Sequence, residues 1–283
     1  MKTMTTTMLA DNFNFLEGPR WHDGKLWLSD MQGGIVYTLT EDGQREEVVQ
    51  VPAQPSGLGF MPDGSLLIVS MEDEKLLRLK DGQLTVHADL ARFVTGHPND
   101  MVVDDQGRAY VGNFGYDLLG GAEPKDANIV LVMPNGDARV VTDDLVFPNG
   151  TVITPDGKTL VVAETFANKL TAFDISEDGS LSGRRTYGEI PDAGPDGICL
   201  DVDGGIWVSG FLAGKFYRME DGGGITHEVD VPGKRAVACQ LGGADGNTLF
   251  CLTFAGTLDQ IAPGNMFSAV ETVKVESAAA GSP

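Results

Sequence analysis

His22-Asp23-Gly24-Lys25-Leu26-Trp27-Leu28-Ser29-Asp30, or HDGKLWLSD, sets an Asp-Gly turn directly before a short apolar run. Asp-Gly between two apolar runs signals a tight hairpin, because glycine tolerates the positive φ that such a turn requires. The unit recurs as MPDGSLLIVS (61–70), DDQGRAYVGN (104–113), TPDGKTLVVAE (154–164), DVDGGIWVSG (201–210) and GADGNTLFCLT (243–253). The marker glycines Gly24, Gly64, Gly107, Gly157, Gly204 and Gly246 lie 40, 43, 50, 47 and 42 residues apart. A second turn series follows most copies, at Asp42-Gly43, Asp81-Gly82, Asn135-Gly136, Asp178-Gly179 and Asp221-Gly222. Two hairpins per repeat mean about four strands, and a period of roughly 40–50 residues built this way denotes propeller blades. No repeat sustains a 3.6-residue apolar pattern, which excludes a helical solenoid.

The expected fold is therefore an all-β, six-bladed β-propeller, with residues 1–283 forming a single domain. The sixth repeat is incomplete, offering only SAVETVKVE (268–276) after TLFCLTF. The opening stretch TTTMLADNF (5–13) has no blade of its own. It is expected to supply the outer strand of blade six, closing the ring over an otherwise open edge.

Composition narrows the function. The formal charge of −21, from 41 acidic and 20 basic residues, disfavours nucleic acid and anionic membrane surfaces, which recruit Lys and Arg. No segment reaches the 18 or so apolar residues of a membrane span, and the N-terminal stretch lacks a secretory h-region. Cys199, Cys239 and Cys251 are odd in number and lack metal-ligand spacing, so they read as buried thiols of a cytoplasmic protein. Monomer and small homo-oligomer both remain open.

The repeat phase converts position into geometry. Eight residues before each marker glycine stand Leu16, Ser56, Asn99, Asn149, Asp196 and Ala238, with Glu17 one step further on in the first blade. These positions begin the innermost strands, so Glu17, Asn99, Asn149 and Asp196 should converge on the channel axis. Two carboxylates and two amides are hard oxygen donors and suit one divalent cation. Ca²⁺ comes first, with Mg²⁺, Mn²⁺, Fe²⁺ and Zn²⁺ as alternatives; zinc fits least, because no His or Cys shares the phase. The crossovers after the second strands should wall the same mouth. They are GNFGYDLLGGAEPKDAN (112–128), ETFANK (164–169), GFLAGK (210–215) and TFAGTLDQIAPGN (253–265). They carry Phe114, Tyr116, Phe166 and Phe211 as candidate substrate contacts, beside His97 and Asn99, and Phe254 falls in the last of them.

LEGPRW, HPNDMVVDDQGRAYVG, FPNGTVITPDG and GPDGICLDVDGGIWV, in that order, resemble the senescence marker protein/gluconolactonase family of regucalcin-like lactonases. The resemblance runs from about Leu16 to Leu252 and extends to the diisopropyl fluorophosphatases. It implies a six-bladed propeller with a catalytic divalent metal bound by Glu17, Asn149 and Asp196, and Asn99 as fourth ligand or substrate contact. Sugar-lactone members carry an Arg two residues before that Asn; here the place holds His97. The pocket should therefore favour a lactone less polar than a sugar lactone.

The expected reaction is hydrolysis of a small lactone or ester, with the metal polarising the carbonyl and a water attacking it. Asp196 would act as general base and His97 would protonate the leaving alkoxide. No GxSxG elbow supports a covalent serine route. A phosphotriesterase activity and a non-enzymatic calcium-binding propeller are the rival readings.

Overall fold

In the computed structural model, residues 2–118 and 121–281 are described, and they form six sheets, antiparallel but for one pairing, arranged as the blades of a propeller. The innermost strands are Leu16–His22, Pro55–Phe60, Pro98–Val103, Pro148–Ile153, Pro195–Leu200 and Arg235–Gly242. Neighbouring inner strands pack directly against one another around the ring. Among the described residues the one helical element is the 3-10 turn Leu258–Gln260, and no helix is long and apolar enough to cross a membrane.

The turn chemistry explains the regularity. All six marker glycines take φ between 70° and 81°. At Gly24, Gly64, Gly157 and Gly204 a Cβ would meet nothing within 4 Å, so backbone conformation alone demands glycine there. The first hairpin is the shortest: His22 pairs with Lys25 across Asp23 (φ 49°) and Gly24 (φ 73°). The other blades use longer turns. That difference puts Glu17 one step nearer its marker glycine than its counterparts.

The ring closes as the sequence implied. Thr7–Phe13 pairs antiparallel with Ser268–Lys274 and becomes the outer strand of blade six. One element was not foreseen. Lys2–Thr5 pairs in parallel with Ile225–Asp230 and adds a fifth strand to blade five. The N-terminal segment therefore spans two blades. The tail follows it: Ala279 bridges to Asp201 of blade five, and its N–H donates to the Gly246 carbonyl of blade six at 2.9 Å.

Most side chains between the blades are fully buried, and they include the three cysteine thiols, all free. The tightest contacts are at the axis. Glycine follows three of the four candidate ligands, at Gly18, Gly150 and Gly197, and also follows Ser56, at Gly57. A Cβ on Gly18 would lie 2.5 Å from the Ser56 carbonyl oxygen, and one on Gly150 would lie 2.5 Å from the Asp196 oxygen. Inner strands of adjacent blades thus approach backbone to backbone.

Gly150→Ala should cost about 2 kcal/mol or more, because backbone rather than a flexible side chain must yield. That corresponds to a fall in Tm of about 5 °C or more. Gly224→Ala, where a Cβ would meet nothing within 4 Å, serves as control. Thermal melts placing both variants level with the parent would contradict this account.

Candidate active site

Glu17, Asn99, Asn149 and Asp196 are each second in an inner strand, and each lines one cavity of about 480 Å³ at the channel mouth. All four are at most 8% exposed. The fifth position is Ser56, and the sixth is apolar. In blade six the residue level with Asp196 is Val237 rather than Ala238: a Cβ on Gly197 would sit 2.6 Å from Cα of Ala238, just as one on Gly150 would sit 2.8 Å from Cα of Gly197. The register of blade six is irregular between Ala236 and Ala238, as those of the other blades are at this level.

A chain of hydrogen bonds links the polar set. The Ser56 hydroxyl donates to Asn99 Oδ1 at 2.8 Å, and Asn99 Nδ2 donates to Asn149 Oδ1 at 3.1 Å. Asn149 Nδ2 donates to the Thr165 hydroxyl at 3.3 Å, which donates to the Pro195 carbonyl at 2.8 Å. The carboxylates are less well served. Asp196 Oδ1 is buried with no partner among the described residues. Burial, then the charge of Asp196, then that of Asp100, push the Glu17 carboxyl well above its ordinary value. Burial and Asp100 do the same to Asp196, opposed by a hydrogen bond from Asn149. Two desolvated acids beside an orphaned oxygen fit a hard divalent cation, which would satisfy that oxygen and offset both charges. Among the described residues no cluster of three or more His, Cys, Asp or Glu offers an alternative centre.

Beneath this set lies a strut that sequence reasoning missed. Arg20 of blade one donates to the carbonyls of Pro19 and Met101, and its guanidinium stands 3.5 Å from Asp100 of blade three. Both side chains are nearly excluded from solvent. Burial raises the Asp100 carboxyl, and Arg20 pulls it back.

Second strands end in groups that tie down the entry turns. Asp30 accepts from the backbone N–H of Asn14 and Phe15, both at 3.0 Å, and Glu164 accepts from that of Val146 at 2.8 Å. Asn113, at the matching place in blade three, accepts from the Thr95 N–H at 3.4 Å. The signal for these was present, six or seven residues after a marker glycine. Two entry turns are strained. Gln54 (φ 62°) and Phe147 (φ 55°) are left-handed, an outlier conformation for an aromatic, and both line the cavity.

The walls are apolar. Phe114, Phe166 and Phe211 line the cavity as expected, joined by Phe15, Met31, Met71 and Phe147. Phe114 stacks on Phe147 with ring centroids 4.6 Å apart. His97 and Tyr116 are not among the lining residues. The His97 ring bonds through Nδ1 to the Met71 carbonyl at 3.1 Å, and Tyr116 packs edge-on against Phe147, both behind the wall. Residues 119 and 120 of the third-blade crossover lie outside the described residues.

Known proteins supply the context. The SMP-30/gluconolactonase/LRE-like region model matches residues 15–255. A pentonolactonase of Haloferax volcanii is 26% identical over 262 residues, covering 90% of this chain and 87% of its own. Regucalcin of Xenopus laevis is 24% identical, covering 89% and 87% respectively. The crystal structure of a calcium-binding protein, regucalcin from Agrobacterium tumefaciens, superposes with a TM-score of 0.83 at 22% identity, covering 100% of this chain and 98% of that one.

The raised carboxyls give a signed pH dependence. Without cation, the stability that protonated Glu17 and Asp196 allow is fully present below the ordinary carboxylate range, and it is lost as pH rises through their elevated folded values. Glu17→Gln should therefore lose less stability than the parent between acid and neutral pH in chelator. At neutral pH, added Ca²⁺ should raise the parent's Tm more than the variant's. Melts across pH, with and without Ca²⁺, check both; parallel curves would remove the acids from the site.

Proposed function

The chain belongs to the SMP-30/gluconolactonase/LRE-like family, and on that premise we propose that its channel-mouth cavity hydrolyses the ring ester of a small lactone. The observation that carries the reading is the buried, unpartnered Asp196 Oδ1 beside Glu17, at the foot of an apolar chamber. Glu17, Asn99, Asn149 and Asp196 would hold one divalent cation, with Ca²⁺ preferred by an all-oxygen donor set. Such a cation, when bound, supplies polarisation of the ester carbonyl and acidification of water.

The side chains do the rest. Asp196 would accept the proton of the attacking water as general base. Asn99 and Asn149 are fixed by the hydrogen-bond chain from Ser56 to Thr165, so their amides need no reorganisation when substrate arrives. Phe15, Phe114, Phe147, Phe166 and Phe211 shield the ring from bulk water. The pentonolactonase and gluconolactonase names among its relatives support ring-ester chemistry. A bare calcium store would have no use for a chamber with this lining.

The same walls bear on substrate polarity. An aromatic lining stabilises apolar area at roughly 25 cal/mol per Å² buried. Aryl or alkyl lactones should exceed gluconolactone in kcat/KM by about tenfold, which requires only about 1.4 kcal/mol. The test strips the protein of metal, restores each divalent ion in turn, and screens lactones alongside a phosphotriester. Asp196→Asn should lose most activity, and Phe114→Ala should chiefly harm the apolar substrates. Gluconolactone turned over as well as the apolar rings would overturn the specificity; turnover of the phosphotriester alone would overturn the reaction.

A further inference from the structure

One residue stands two places before the channel-facing position in every blade: Phe15, Gln54, His97, Phe147, Gly194 and Arg235. For blade six the match is structural, since Ala236 pairs with Thr253 as Pro148 pairs with Glu164. Phe15, Gln54 and Phe147 of this tier line the main cavity. Arg235 holds the same tier on the side of the ring opposite blade three.

Its surroundings are unusual for this chain. With 41 acidic and 20 basic residues, a carboxylate partner should be easy to find. Yet among the described residues Arg235 makes no ion pair or hydrogen bond through its side chain, and its Nε is buried without a partner. The guanidinium instead lies over Phe211, 5.0 Å from the ring centroid. Beside it runs a groove bordered by Leu212, Gly214, Gly233, Lys234 and Gly256. The Lys234 ammonium is engaged by Glu271 at 2.6 Å, which leaves Arg235 as the uncommitted cation. Phe211 and Leu212 border both this groove and the main cavity. A ligand resting its apolar body on Phe211 can therefore extend an anionic group to Arg235. Elsewhere the cavity presents Glu17, Asp196 and Asp259, which repel anions.

We infer that Arg235 is an anion subsite at the rim of the cavity, and that the lactone taken there carries a carboxylate remote from the ring ester. The planar guanidinium fork matches a carboxylate bidentately, whereas lysine offers a single point charge. The inference rests on the lactonase reading and names its substrate class.

The experiment compares a neutral aryl lactone with the same lactone bearing a carboxylate on the aryl group, in the Ca²⁺-loaded protein. The parent should prefer the carboxylate lactone through KM, and the preference should shrink as salt rises. Arg235→Met should cut the ratio of the two kcat/KM values about tenfold, with Arg235→Lys intermediate. An unchanged ratio in Arg235→Met would overturn the subsite while leaving the lactonase reading intact. If neither lactone reacts, the lactonase reading falls, and thermal shift with the ring-opened dicarboxylate decides the subsite. A larger shift for the parent than for Arg235→Met sustains it; equal shifts overturn it.

Discussion

Everything in this molecule hangs on how closely six inner strands approach one axis. Gly18, Gly57, Gly150 and Gly197 let backbone meet backbone where a Cβ would come within 2.4–2.7 Å of the next strand. That proximity brings the preceding residues of separate blades, Glu17, Asn149 and Asp196 among them, to the wall of one cavity. Blade three departs from the rule with Asp100, and there the carboxylate meets Arg20 from across the ring. The packing that makes the propeller compact is thus the packing that assembles the polar set.

Assembly has an electrostatic cost. Glu17 and Asp196 are held where desolvation disfavours their charge, and Asp100 adds a third acid nearby. Arg20 offsets Asp100 at the channel floor, which leaves Glu17 and Asp196 as the uncompensated acids of the polar set. On the proposed reading, a site poised in this way would suit a doubly charged ion, and the aromatic walls above would meet a different part of the substrate. Ion and organic ligand would then be recognised on separate tiers of the same funnel.

Much of this was legible in the residues. The two turn series announced blade count and hairpins, because each depends on a left-handed turn that only a few residue types accept, and the incomplete sixth repeat announced the strand that closes the ring. The convergence of Glu17, Asn99, Asn149 and Asp196 followed from phase alone. Other features left no periodic trace. Lys2–Thr5 is short and polar, and only the neighbouring edge makes it a strand. Arg20 and Asp100 meet across the ring, where no local pattern links them. His97 and Tyr116 share the expected loops, yet their rings turn behind the wall, a matter of side-chain direction. The exchange of Val237 for Ala238 at the axis is an offset of one residue, too small for repeat counting to see.

The seam between blades five and six has a bearing on biosynthesis. Thr7–Phe13 is made long before Ser268–Lys274, the strand it pairs with. Four strands of each earlier blade can form as they emerge, but the opening segment must wait, unpaired, for its partner. Contacts of such large sequence separation are slow to form, so ring closure is the natural rate-limiting event of folding. Until then the edges of blades five and six lie open to strands of other chains. Lys2, Asp11 and Lys274 put charge on the segments concerned, which discourages such pairing during the interval before the chain is whole.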